Sequence, residues 1–296
     1  MQCINEYEVV QAVSEQWSRY HAIYRLTKVN EWMSLSFEGD IERYKSVSFC
    51  YWVLHKGVRV GGALIKPNMI KCVFVIPPYK IEQIIDSVAN YAEKISDNNE
   101  MIVVQDADKD SFSYYTSLGY KLNEINKIMV RPTEKFEVSF EPEYKLCEPK
   151  LENKEAMAEL YYETYRANKL KAISQQSYEF QTVSVDTYFN HTSQNNIPRG
   201  CSTLIFEAKT NRLIGNCTVG LVNELPYILD FVVHPDFQNR GLASKMIKRT
   251  LSLLIDKYPA VRLSVQIGND AEVFYSKLGF IGLSEKYMLS KILKYN

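Results

Sequence analysis

The stretch VVHPDFQNRGLASKM, Val232–Met246, decides the fold. Two β-branched residues run into His-Pro, a polar turn with Gly241 follows, and apolar residues then recur at helical spacing. This is a strand that gives way to a helix through a tight loop. The first backbone N–H groups of a helix have no partners within it and lie at the positive end of its dipole. A strand, turn and helix in this order therefore form a ready-made anion site. Gly241 suits such a site, because a phosphate comes close to the backbone only where no Cβ intervenes, and Ala243 is the next smallest choice. Gln238, Asn239 and Arg240 add donors and one fixed cation. Read without its surroundings, the stretch is equally a βα turn with a well-placed glycine.

The surroundings extend the pattern. LENKEAMAELYYETYRA reads as an amphipathic helix, STLIFEAKTNRLIGNCTVG as a hairpin and PYILDFVVHP as the strand before the turn. Beyond the turn come a helix from Leu242 to Lys257, a strand VRLSVQIG, a helix AEVFYSKLGF with its glycine cap and a last strand EKYMLSKIL. The first half runs the same programme. Glu6 to Leu26 has the spacing of a helix, Val47 to Ile76 that of a strand, hairpin and strand, and Ile81 to Ile95 that of a helix. EMIVVQDA, SFSYYTSLGYKL and the strand INKIMVR follow. CVFVIPP (Cys72–Pro78) aligns with DFVVHPD (Asp230–Asp236), and YYTSLGY (Tyr114–Tyr120) with FYSKLGF (Phe274–Phe280). Solenoid repeats are only about 20–50 residues long, so a recurrence across half the chain marks a duplicated domain. The tract from Pro132 to Glu143, with two prolines and many charges, reads as the linker, dividing the chain into 1–135 and 136–296.

Composition narrows the partners. Thirty-five basic residues balance thirty-five acidic ones, so no global field recruits nucleic acid or an anionic membrane. MQCINEYEVV lacks the charged and apolar regions of a secretory signal, and no apolar run approaches a membrane span, which predicts a soluble cytoplasmic protein. The six cysteines (Cys3, Cys50, Cys72, Cys147, Cys201, Cys217) form no CxxC pair and histidines number four, so neither a zinc site nor a disulfide framework is expected. Buried free thiols and no bound metal are the expectation.

The order hairpin, strand, VxPxxQxRGxA, helix, strand and NDAEVFYSKLGF resembles the GNAT N-acetyltransferase superfamily over roughly Glu143 to Asn296. The resemblance implies an α/β fold of two tandem GNAT-like domains, each a twisted, mostly antiparallel mixed sheet flanked by helices. The first would be a degenerate copy and the second the acetyl-CoA-binding domain. In that family the loop matched by Gln238, Asn239, Arg240, Gly241, Leu242 and Ala243 wraps the pyrophosphate of acetyl-CoA. Phe231, Val232 and Val233 match the strand whose backbone pairs with the pantetheine arm, and Asn269 belongs to the downstream motif. Tyr275 matches the acid that serves the departing thiolate, with core packing as the alternative. Tyr227 stands where many members carry a glutamate base, and His234 where the loop is usually left to solvent. The resemblance also puts the segment Ala167–Gly200, with Tyr178, Phe180, Tyr188, Phe189, Glu179 and Asp186, over the acceptor site.

Strand alternation sets Ile228, Asp230 and Val232 on one face and Tyr227, Leu229, Phe231 and Val233 on the other. Asp230 is then a carboxylate in an apolar strand and needs a partner, either a structural one or an acceptor amine. The function these features imply is an acetyl-CoA-dependent N-acetyltransferase acting on a primary amine of a small molecule, as a monomer or homodimer. Its alternatives are a protein or peptide α-amine acetyltransferase and a non-catalytic acyl-CoA sensor. In the first half the aligned loop is IPPYKIEQIID, with Lys80, Gln83 and Ile85 in place of Gln238, Gly241 and Ala243, and Glu82 and Asp86 early in the helix. Acetyl-CoA is therefore expected in the second half only, and Tyr115, aligned with Tyr275, is read as packing.

Overall fold

The computed structural model describes residues 6–28, 37–97, 100–166, 176–193, 197, 199–222 and 224–293. In chain order the first half comprises β1 (Tyr7–Gln11), α1 (Ser14–Lys28), α2 (Phe37–Tyr44), β2 (Cys50–His55), β3 (Val58–Lys66) and β4 (Met69–Val75). α3 (Ile81–Ile95), β5 (Met101–Ala107), α4 (Lys109–Ser117) and β6 (Lys121–Pro132) complete it. The second half comprises β7 (Tyr144–Cys147), α5 (Lys154–Tyr165), α6 (Tyr178–Ser193), β8 (Thr203–Glu207), β9 (Leu213–Val222) and β10 (Leu225–Val233). It ends with α7 (Leu242–Leu254), β11 (Ala260–Gln266), α8 (Asp270–Lys277) and β12 (Ile281–Ile292). Two compact units result, Met1–Ile128 with Leu283–Asn296, and Met129–Gly282.

In the first unit β1 to β4 are joined antiparallel in sequence, β4 and β5 are parallel, and β12 lies antiparallel to β5 with Leu289 opposite Val104. One face is covered by α3, whose Ile84, Ile85, Val88 and Ala92 pack on Val53, Val60, Ile65 and Val104. The other face packs Trp17 of α1 against Cys50, Trp52, Leu64 and Phe74. The helix expected over Glu6–Leu26 begins only at Ser14, because Tyr7–Gln11 pairs with β2 from Tyr7 opposite His55 to Gln11 opposite Tyr51. Strand pairing overrides the helical spacing there. Within α1 the buried face is Trp17, Ser18, His21 and Ala22, while Ile23 is 45% exposed, as is Val13, just before the helix, at 64%.

The second unit follows the same plan. β7, β8, β9 and β10 are antiparallel neighbours, and β10 meets β11 in parallel. α7 buries Leu242, Met246, Ile247, Leu251 and Leu254 against Ile214, Val219, Ile228, Val261 and Leu263. Each such side chain contributes roughly 1.5–3 kcal/mol, so this one face anchors the helix that follows the loop. On the opposite face Met157, Leu160 and Tyr161 of α5 and Val185 and Tyr188 of α6 cover Leu204, Leu213 and Val232. β7, α2 and α6 were not anticipated from the sequence. Of the segment expected over an acceptor site, residues 167–175, 194–196 and 198 lie outside the described residues.

The glycine pair of β3 fixes how closely the first unit's layers approach. A Cβ on Gly61 would stand 2.5 Å from the Phe74 carbonyl oxygen and 3.1 Å from Ile84, and one on Gly62 2.8 Å from Trp17 Nε1. The first of these is backbone and cannot swing aside. Gly61→Ala is therefore expected to destabilise the protein by about 1–3 kcal/mol, read as a lower urea midpoint.

Candidate functional site

β10 carries one residue more than its partner. Ile228 faces Val219 and Asp230 faces Thr218, so Leu229 is the extra residue of a bulge. The Thr218 hydroxyl closes the defect: it accepts the Asp230 N–H at 3.1 Å and donates to the Asp230 carbonyl at 3.2 Å. The bulge also rearranges the faces. Asp230 and Val232 share a face, and Phe231 and Val233 share the other, as alternation predicts, but Ile228 changes sides and packs with Phe231 and Val233 on the α7 side. A single inserted residue reverses the alternation of everything before it.

Asp230 lies among hydroxyl and amide groups. Ser184 of α6 donates to Asp230 Oδ2 at 3.2 Å, and buried Asn216 donates to the Tyr161 hydroxyl at 2.7 Å and to the Asp230 carbonyl at 3.4 Å. Burial, reinforced by the charge of Asp230, pushes the Tyr161 and Tyr165 phenols of α5 well above the ordinary tyrosine value. Tyr165 also feels Tyr275, which ties α8 to the same cluster. Reading the sequence missed Tyr161, Tyr165, Ser184, Asn216 and Thr218. The last two carried a usable signal, as polar residues two apart in the apolar strand LIGNCTVGLV.

β10 and β11 register in parallel at Tyr227 opposite Arg262, and their described register goes no further. Phe231, Val232 and Val233 thus continue past the end of that ladder into the loop. There Asn239 and Gly241 adopt left-handed backbone, with φ of 61° and 77°. The Gln238 side chain donates to the Val233 carbonyl at 3.0 Å, and Arg240 donates to the Asp236 carbonyl at 2.9 Å with its guanidinium 4.7 Å from the centre of the Phe237 ring. Both residues hold the loop's shape. Gly241 is the N-cap of α7, which has no side-chain cap, and a Cβ there would meet nothing within 4 Å. Its backbone conformation therefore selects glycine, in addition to the close approach argued from the sequence. Leu242 is buried beneath the helix start and Ala243 packs against the same core.

His234, expected at a solvent-exposed position, is buried. Its Nδ1 accepts the Asp236 N–H at 3.2 Å, and its Nε2 lies 2.8 Å from Arg212 and 3.3 Å from Glu163. It fastens the end of β10 to α5. Asn269 caps α8, its Oδ1 accepting the Ala271 N–H at 2.9 Å. Tyr275 is 7% exposed and packs against Phe231, Phe274 and Phe280. Burial keeps its phenol protonated far above neutrality. Tyr227, also raised by burial, is engaged by Ser264 and lies 5.8 Å from the Arg262 guanidinium. The site thus joins a protonated phenol, a carboxylate on a bulge, strand backbone beyond the described register with β11 and an uncapped helix start. Such a set can hold an anionic tail and steady charge on a leaving group. Among the described residues no group of His, Cys, Asp and Glu is arranged to hold a metal ion, and no helix is long and apolar enough to cross a membrane.

Residues 169–292 match the family model of the acetyltransferase (GNAT) domain. Among solved structures, a GCN5-related N-acetyltransferase from Sphaerobacter thermophilus superposes with a TM-score of 0.72 at 13% identity, over 98% of this chain and 97% of that one. A tandem GNAT protein from the clavulanic acid biosynthesis pathway gives 0.68 at 12% identity, over 98% and 99%. A GNAT-family acetyltransferase from Colwellia psychrerythraea gives 0.61 at 10% identity, over 97% and 99%. At these identities the likeness is one of fold. No curated protein matches the chain.

Thr218 is the test of the bulge. Thr218→Val keeps the shape but strips the Asp230 N–H and carbonyl of their hydroxyl partner, and is expected to cost about 1–3 kcal/mol in urea unfolding. Thr218→Ser, which keeps the hydroxyl, is expected to restore most of that loss.

Proposed function

We propose that the chain, whose residues 169–292 match the family model of the acetyltransferase (GNAT) domain, transfers an acetyl group from acetyl-CoA to a primary amine of a small molecule, by direct attack of the amine on the thioester. The observation that carries this reading is the concentration of the needed groups around β10. Asp230 sits on its bulge, Tyr275 packs on Phe231, and Phe231–Val233 run beyond the ladder with β11 into a left-handed loop.

Each element has a task in that reaction. The N–H groups at the start of α7, with Gln238, Asn239, Arg240, Gly241, Leu242 and Ala243 around them, hold the pyrophosphate. The backbone of Phe231, Val232 and Val233 pairs with the amides of the pantetheine arm, and the Nδ2 of Asn269, spared by its cap, is a further donor to acetyl-CoA. Asp230 binds the acceptor as an ammonium and draws off its proton, directly or through water. The amine then attacks the carbonyl carbon, the C–N bond forms and the C–S bond breaks. A thiol ordinarily titrates near about 8.5, below a phenol. Tyr275 therefore steadies the departing sulfur first by hydrogen-bond donation, and its proton is replenished by the one the amine sheds.

The first unit supports a single acetyl-CoA per chain. Among its described residues no left-handed backbone occurs between Cys72 and Asp106, and Glu82 lies in the first turn of α3. An acidic residue there opposes an anion at the helix start. Tyr115, aligned with Tyr275, is fully buried against Tyr120. The division near residue 135 into a degenerate copy and an acetyl-CoA-binding domain belongs to the same proposal.

Calorimetry with acetyl-CoA is expected to give one site per chain, and Gly241→Glu, which combines a strained left-handed residue with a like charge, is expected to abolish binding in a folded protein. Two sites, or unchanged affinity in the variant, would count against the loop. With a panel of polyamines, amino acids, aminoglycosides and short peptides as acceptors, Tyr275→Phe is expected to lower kcat roughly 10²-fold with acetyl-CoA affinity intact. Asp230→Asn is expected to act on the acceptor KM or the pH profile. Binding without turnover of any acceptor would favour a sensor, and turnover of peptides alone an α-amine acetyltransferase.

A further inference from the structure

The bulge of the first unit holds a different set of groups. Gly62 faces Phe74 and Leu64 faces Lys71, so β4 has an extra residue around Cys72, which adopts left-handed backbone with φ of 54°. The parallel register of β4 with β5 runs from Met69 opposite Val103 to Lys71 opposite Gln105 and stops there, one residue before Cys72. In the internal alignment Cys72 occupies the place of Asp230.

Above the thiol lies a buried pair. His21 Nδ1 is 2.7 Å from Asp40 Oδ2, and the two residues are 4% and 3% exposed. Tyr44 joins the thiol to the imidazole, its ring 5.0 Å from that of His21 and its hydroxyl beside Cys72 Sγ. With Nδ1 taken by Asp40, Nε2 is the ring nitrogen left to a thiol. Trp17 stacks on the imidazole at 5.0 Å and 8°, Tyr44 and Phe74 meet it edge-on, and the Tyr44 hydroxyl lies 3.4 Å from Cys72 Sγ. Burial works against the charged imidazole, yet Asp40 and Cys72 outweigh it and raise the His21 pKa above its ordinary value.

This arrangement is costly as mere packing. A buried pair of ionisable groups is seldom more stable than an apolar replacement, and left-handed backbone strains a residue that carries a side chain. Cysteine, imidazole and carboxylate in sequence are the groups that activate a sulfur nucleophile. We propose that Cys72, His21 and Asp40 form a second reactive centre, in which the Cys72 sulfur accepts an acyl group from a small activated ester or thioester. His21 Nε2 takes the thiol proton, and Asp40 fixes the ring through Nδ1 and balances its charge. Sγ attacks the acyl carbon, the bond to the leaving oxygen or sulfur breaks, and the leaving group takes the proton from His21. The products are S-acyl-Cys72 and the free alcohol or thiol. The acyl donor is a compound without a nucleotide tail, since the turn that leads into α3 lacks the left-handed glycine of its counterpart.

The full-length chain and p-nitrophenyl acetate test this. The expected result is a burst of one p-nitrophenolate per chain, with the acetyl group on the Cys72 peptide and the other five cysteines unmodified. Cys72→Ala is expected to remove the burst, and His21→Gln, which keeps the thiol, to slow it roughly 10²-fold. Should His21→Gln fail to fold, alkylation of the unaltered protein decides: iodoacetamide is expected to label Cys72 at least about 10-fold faster than exposed Cys147. A burst that survives Cys72→Ala, acetylation elsewhere with Cys72 untouched, or labelling of Cys72 no faster than Cys147 would each overturn the proposal.

Discussion

An extra residue in the fourth strand is the constraint on which both units depend. A strand that carries one residue more than its neighbour must take a peptide unit out of the ladder, and that unit still needs hydrogen-bond partners. In the second unit Thr218 supplies both, so the backbone at Asp230 is satisfied without a regular ladder. In the first unit the same surplus is absorbed by left-handed backbone at Cys72. Each bulge lies close to the point where the described parallel register of its strand ends, after Lys71 in one unit and at Tyr227 in the other. Backbone groups freed there can pair with something other than protein, and the side chain on the bulge is aimed at the helices that cover that face.

The local elements of this design were legible in the sequence, and the bulges were not. The spacing over Ile81–Ile95 gave α3 to the residue, and the glycine of QNRGLA located the start of α7, because both signals are carried by the segment itself. A bulge is a property of two strands at once, so nothing within PYILDFVVHP reveals that Leu229 has no opposite number. Alternation accordingly put Ile228 on the wrong face while pairing Asp230 with Val232 correctly. β1 failed for a related reason: YEVVQ is a strand because β2 lies beside it, and its helical spacing is incidental.

The polar residues followed the same division. Tyr275 and Gly241 stand in motifs and were found by them. His21 does not, since one histidine on an amphipathic helix has no meaning until Asp40 and Cys72 are brought to it from another helix and a strand. His234 shows the converse: the resemblance set it at a loop position usually left to solvent, and only the convergence of Glu163 and Arg212 explains its burial.

The two bulges also account for why their surroundings diverged together. A carboxylate at Asp230 needs a donor, which Ser184 supplies to its Oδ2, while Thr218 and Asn216 satisfy the backbone of the same residue. A thiol at Cys72 needs no such donors, and those same groups would leave it an inert small hydrophobe. What changes its chemistry is a base, and a buried imidazole is held ready as a base only if a carboxylate fixes its tautomer. The substitution of cysteine for aspartate on one strand thus calls for a histidine on one covering helix and an aspartate on the next, and His21 on α1 and Asp40 on α2 fill those places. A shared backbone defect thus carries two different side-chain settings, one completed by β9 together with α5 and α6, the other by α1 and α2.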